Sequence, residues 1–134
     1  MINRKAVLAL VGGIAIGAAG ASALLAETAP KPKGYVVAEI NVTDLEGYRA
    51  YGEKAFPVIQ QYGGKFLTRG GETVHVEGAR PAERVMIIEF ESFEQAKEFE
   101  YSKEYRDIAP LRHRTSESRI FLLEGTADAA RSAP

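Results

Sequence analysis

The chain has no cysteine, no tryptophan and only two histidines. Without cysteine there is no disulfide framework, no thiol nucleophile and no thiolate ligand for zinc or an iron–sulfur cluster. His75 and His113 are too far apart in sequence for a short-spacing metal motif and no third ligand accompanies them, so the residues indicate neither metal nor cofactor. Ser-x-x-Lys and Gly-x-Ser-x-Gly are also missing, which leaves serine-type acyl transfer without support. Nor is there a basic cluster: 17 Lys and Arg are scattered among 18 Asp and Glu, so nucleic acid is not an expected partner.

What is present begins with a single long uncharged run. Arg4 and Lys5 precede the apolar segment Ala6 to Gly20, and Ala21-Ser22-Ala23 has the small-x-small form that signal peptidase accepts. Residues 1–26 therefore read as a secretory signal, and the expected location is periplasmic or secreted. The alternative is an uncleaved anchor, the one expected contact with a membrane, although the many Ala and Gly residues make a weak span. Loss of Arg4 and Lys5 lowers the 17 basic residues to 15 against 18 acidic ones, a net charge of about −3. Residues 27–33 read as a Pro- and Lys-rich linker, 34–125 as the folded domain and 126–134 as a frayed tail.

In the domain, "YVVAEINV" from Tyr35 to Val42 alternates like a strand, with Val36, Ala38 and Ile40 on one face and Tyr35, Val37 and Glu39 on the other. Thr43 to Glu46 has the form of a capping box, and Tyr48, Tyr51, Ala55, Ile59 and Tyr62 follow at helical steps. Pro57 predicts a kink or break there, and Gly63-Gly64 the helix end. "RVMIIEFES" is a central strand with Met86, Ile88 and Phe90 on one side. Ser92 to Gln95 is a second capping box, Ser102 caps a further helical piece through Arg112, and Arg119 to Gly125 is a closing strand.

The glycine-punctuated stretch "YGGKFLTRGGETVHVEG" completes the order. A phosphate loop would need its glycines ahead of a helix, and here they precede strands. Gly70-Gly71 then reads either as a bulge inside one long strand, the preferred form, or as a local hairpin turn. With one strand there, the pattern is βαββαβ: an α+β, ferredoxin-like antiparallel sheet with helices on one face.

The segments "YVVAEINVTDLEGYRAYGEKAFPVIQQYGGKFLTRGGETVHVEG", "ERVMIIEFESFEQAKEFEYSKEYRDI" and "LRHRTSESRIFLLEG" closely resemble the family called domain of unknown function 1330, over about Gly34 to Gly125. Tyr62-Gly63-Gly64, Phe66 to Gly71, Glu77-Gly78, Glu89-Phe90, Ser102 and Glu104-Tyr105 carry the likeness. Two departures are Lys103, where the family usually has Pro, and Thr68, where it usually has Ala. The resemblance implies the dimeric α/β-barrel superfamily, in which two ferredoxin-like units pack sheet against sheet. That superfamily includes cofactor-free monooxygenases, muconolactone isomerases and chlorite dismutase-like haem proteins. The family itself has no established reaction, so what is implied is a scaffold, not a chemistry.

Covering the Tyr35, Val37, Glu39 face with a second subunit is expected to enclose a small-molecule cavity between the sheets of a homodimer. Glu89, within "VMIIEF", is the first candidate base, with an ion pair to Arg84, Arg69 or Arg112 as its structural alternative. His75, expected on an edge strand beside Thr73 and Glu77, is a candidate proton shuttle, and Arg112 a candidate anion clamp. These three form the expected catalytic set. Tyr48, Arg69, Arg84 and Tyr105 are the expected ligand-binding residues, the tyrosines otherwise serving as core aromatics. His113 reads as a helix-end cap. The functional expectation is cofactor-free acid–base or oxygen chemistry on a small, partly apolar molecule, and the alternative is a non-catalytic envelope protein that binds a ligand or partner.

Overall fold

The computed structural model describes residues 31–127. The leader expected at 1–26 and the tail beyond 127 lie outside the described residues. Among the described residues no helix is long and apolar enough to cross a membrane. The chain runs through β1 (Gly34–Val42), α1 (Leu45–Gln61), β2 (Lys65–Arg69), β3 (Arg84–Phe90), α2 (Phe93–Tyr101), α3 (Lys103–Thr115) and β4 (Ser116–Glu124). The strands form one sheet in the order β2-β3-β1-β4, each neighbouring pair antiparallel. This is the expected ferredoxin-like βαββαβ arrangement, with its second helix divided at Ser102.

Strand alternation sorts the residues as expected. Val36, Ala38, Ile40, Ile88 and Phe90 are buried under the helices, while Tyr35, Val37, Glu39, Val85, Ile87 and Glu89 on the opposite face are only half-buried. Phe99 of α2 is the hub of the core: its ring centroid lies 5.3 Å from that of Phe90 and 4.6 Å from that of Tyr105. Burying an aromatic side chain of this kind stabilises the fold by about 1.5–3 kcal/mol.

Several local expectations need correction. Asp44, not Thr43, caps α1; its Oδ1 accepts from the Gly47 amide at 3.1 Å. The amides of Thr43 and Asp44 are instead tied to the Thr115 carbonyl at the end of α3. Pro57 does not break α1, which continues to Gln61. Both Pro57 and Glu53, whose carbonyl loses its helical partner, are exposed, so water can satisfy that carbonyl. Gly63, at φ +77°, then supplies the left-handed exit. Gly64 is needed for space, because a Cβ there would meet Ile59 Cγ2 at 2.7 Å and Phe90 Cζ at 2.9 Å.

Ser92 caps α2 as expected, but the Gln95 side chain donates to the Tyr62 carbonyl instead of reaching back to the cap. Ser102 serves two helices: its hydroxyl donates to the Phe99 carbonyl at 2.7 Å and accepts from the Tyr105 amide at 3.2 Å. Lys103 is the first residue of α3, a position where Lys and Pro are both accepted.

The glycine-rich stretch fits neither form expected for it. The bulge lies earlier, where the β2–β3 register shifts between Phe66 and Thr68 and leaves Leu67 as the extra residue. Thr68 Oγ1 accepts from the Ile87 amide at 3.0 Å and donates to the Val85 carbonyl at 3.2 Å, so a side chain takes the place of backbone in the ladder. Gly70, at φ +70°, makes a last amide bond to the Val85 carbonyl, and residues 71–83 run without regular structure.

Candidate functional site

The α1 backbone packs along α3 and keeps its distance from the strands, leaving a cavity of about 800 Å³ between α1 and the sheet. Its floor is apolar, made by β1 and β3 side chains such as Ala38, Ile40 and Ile88. Tyr48, Tyr51, Ala55 and Ile59 descend from α1 at three- and four-residue steps, and Phe99 and Tyr105 close the inner end. This cavity is on the helix side of the sheet and is distinct from the inter-sheet space that a second subunit is expected to enclose. Residue alternation does not reveal it, because alternation carries no information about the height of a helix above a strand.

Exposed Arg49 and Glu53 of α1 lie along the cavity, and two further arginines, Arg69 and Arg84, stand at its rim. Arg84 begins β3 in the same alternation as Met86 and Ile88, which turns it to the helix side. Arg69 ends β2, and the extra residue at Leu67 restores it to the same side as Phe66. The Arg69 guanidinium carbon lies 4.8 Å from the Phe66 ring centroid and 5.2 Å from that of Phe56, while Arg84 lies 5.6 Å from that of Tyr48. Among the described residues neither arginine forms a salt bridge. Aromatic faces hold both cations in place and leave their charge unneutralised.

Deeper in, the Tyr51 and Tyr105 hydroxyls meet at 2.8 Å in a buried hydrogen bond. Burial pushes the Tyr51 phenol far above its usual range, reinforced by Tyr105. Burial likewise raises Tyr105 against the opposing charge of Arg112, and Tyr48 against that of Arg84. All three phenols are therefore neutral at physiological pH, able to donate a hydrogen bond and unsuited to act as bases.

Arg112, 6% exposed, lies behind this pair, close enough for its charge to act on both phenols. Its Nη1 donates to Ser118 Oγ and its Nη2 is 3.3 Å from His113 Nε2, while its buried Nε has no acceptor. Glu100 completes the group. Burial raises its carboxyl above the ordinary value against the pull of Arg112, and its buried Oε2 has no donor. Sequence reasoning gave Glu100 no chemical role, though its spacing of one turn from buried Ala96 places it on the inward face of α2.

The structure thus brings Tyr48, Arg69, Arg84 and Tyr105 to one cavity, with Arg112 behind it. Glu89 and His75 are elsewhere. Glu89 is on the open face between Tyr35 of β1 and Lys65 of β2, because its neighbours Ile88 and Phe90 face the helices. The arginines named as its ion-pair partners belong to the helix side, and among the described residues it forms no salt bridge. His75 is exposed in the segment after Gly70 and not on an edge strand. Among the described residues no group of three or more His, Asp or Glu side chains could hold a metal ion.

No curated protein matches the chain. Solved structures do share its fold. A protein of unknown function from Rhodopseudomonas palustris is 20% identical with a TM-score of 0.58, over 79% of this chain and 92% of that one. The methylated form of the same protein gives 21% and 0.60, over 79% and 90%. A hypothetical protein from Arabidopsis thaliana is 14% identical with a TM-score of 0.52, over 73% and 91%. At these identities the likeness establishes architecture alone. The sequence profile of one family, however, spans residues 33–126, which contain every element from β1 to β4, and the chain belongs to that family, the domain of unknown function DUF1330.

Proposed function

We propose that this protein binds a small, partly apolar anion in the cavity between α1 and the sheet, as an exported homodimer working in the periplasm or outside the cell. The observation that carries the binding role is the pair of rim arginines, Arg69 and Arg84, stacked on aromatic rings and, among the described residues, engaged in no salt bridge. In a chain with an excess of acidic residues, such cations at an apolar cavity favour an anionic group from outside. The rings of Tyr48, Phe56 and Phe66 would cover the apolar body of that ligand.

The dimer is supported by the open face, where Phe121 and Leu123 are 39% and 49% exposed beside half-buried Val37 and Ile87. Export rests on the form of residues 1–26. Glu89 and His75 lie away from the cavity, whose polar lining is made of arginines, neutral phenols and one exposed carboxylate, Glu53. This favours ligand binding over cofactor-free acid–base or oxygen chemistry.

Calorimetric titration with a panel of aromatic and aliphatic carboxylates, each beside its neutral amide, tests the proposal. Carboxylates are expected to bind at least about tenfold more tightly than their amides, and Arg84→Gln to remove that difference. Equal affinity for acid and amide, or no binding by any member, would overturn it.

A further inference from the structure

The two hydroxyls at the inner end of the cavity have one proton to spare. Each phenol carries a single O–H, and the 2.8 Å bond between Tyr51 and Tyr105 uses one of the two. The other has no acceptor in the hydrogen bonds recorded among the described residues, although both rings line the cavity. The surroundings are unfinished in the same way: Arg112 Nε lacks an acceptor and Glu100 Oε2 lacks a donor. A buried donor left unused costs free energy comparable to a lost hydrogen bond, and it is satisfied when an oxygen arrives.

Contacts connect this point to the arginine rim. Arg84 lies 5.6 Å from the Tyr48 ring centroid, Tyr48 and Tyr51 centroids are 5.5 Å apart, and Tyr51 reaches Tyr105 through its hydroxyl. The cavity thus has a cationic end and a neutral donor end, separated by apolar wall.

We infer that the Tyr51–Tyr105 pair, backed by Arg112, is a second recognition point for an uncharged oxygen, so that the ligand class is an aromatic or conjugated carboxylate bearing a hydroxyl or keto oxygen at its far end. This rests on the proposed anion site: the carboxylate goes to Arg69 and Arg84, the ring lies along Tyr48 and Phe56, and the distal oxygen accepts the spare phenolic proton. A neutral donor pair distinguishes such a molecule from its deoxy analogue because only the oxygenated one completes the hydrogen-bond set.

The test titrates the full mature chain with hydroxyaromatic and ketoaromatic carboxylates of increasing length, from 4-hydroxybenzoate to 4-hydroxycinnamate and 4-acetylbenzoate, each paired with its deoxy counterpart. At least one pair is expected to favour the oxygenated member by about tenfold, and the double variant Tyr51→Phe/Tyr105→Phe, which removes both O–H groups, to bring that ratio close to one. Tyr51→Leu/Tyr105→Phe serves as the second variant, with the same expected ratio, should the first not fold. If carboxylates bind but no pair differs, or the preference survives both variants, the second recognition point is wrong and the anion site stands. If no carboxylate binds, the anion site itself fails and this inference with it.

Discussion

The two faces of the sheet are made from alternate residues of the same strands and have opposite characters. On the helix side, Val36, Ile40, Ile88 and Phe90 are at most 5% exposed and the cations gather at the mouth of an open cavity. On the open side, Val37, Ile87, Phe121 and Leu123 form an apolar patch flanked by the Arg119–Glu39 and Lys33–Glu91 ion pairs and by Glu89 opposite Lys65. The first face has completed its burial within one chain. The second leaves apolar area exposed between flanking charges, which is the condition under which a second subunit would gain most.

That contrast can be broken most severely at the core. Phe99→Ala is expected to lower unfolding free energy by about 3–5 kcal/mol in a denaturant titration, whereas Phe121→Ala costs less than about 1 kcal/mol in the separated subunit. Equal losses would erase the distinction between the faces. Next, Phe121→Glu should weaken self-association by tenfold or more, about 1.4 kcal/mol, in sedimentation equilibrium while leaving the far-ultraviolet circular dichroism unchanged. A variant that associates like the parent would remove the open face from the dimer proposal.

A smaller effect is expected at the junction of β2 and β3. Thr68→Val keeps the shape and loses both hydroxyl hydrogen bonds, leaving the Ile87 amide without its partner, for a loss of about 1 kcal/mol. Amide exchange at Ile87, accelerated in the variant, would locate the loss.

The smallest effect depends on pH. Burial holds the folded Glu100 carboxyl above its ordinary value, so its protonated form favours the folded state. The stabilisation is complete below the ordinary glutamate range and is lost as the pH rises through the elevated value. Glu100→Gln should therefore melt at a slightly higher temperature than the parent at pH 7, with the advantage gone near pH 4. An advantage that grows on acidification would mean that the attraction of Arg112 outweighs burial.

Periodicity was enough to read the elements, the strand faces and the α1 stripe, because Val36 to Ile40 and Tyr48 to Ile59 each repeat at a spacing with one structural meaning. It also placed Tyr48 and Tyr105 inward without revealing that a cavity separates α1 from the strands, since that gap depends on how α1 rests along α3. Glu89 looked the most unusual residue because a carboxylate interrupts an apolar run, yet alternation sends it to the open face. Glu100 drew less attention in a charged helix, although among the described residues only there is a buried side-chain oxygen left without a donor. The Gly-Gly pairs illustrate the same limit. At Gly64 surrounding side chains forbid a Cβ, whereas at Gly71 nothing lies within 4 Å, and the letters are identical.

The irregularity at Leu67 settles which compartment receives a guanidinium. In an unbroken ladder the residues from Lys65 onward would alternate without interruption, and Arg69 would emerge among Ile87 and its apolar neighbours instead of at the cavity mouth. Excising Leu67 would straighten the strand and keep that cation where it is; re-pairing the intact strand would carry it through the layer to the opposite surface. Pairing register past Leu67, independently of residue type, therefore decides whether this positive charge reaches the cavity mouth or the open face.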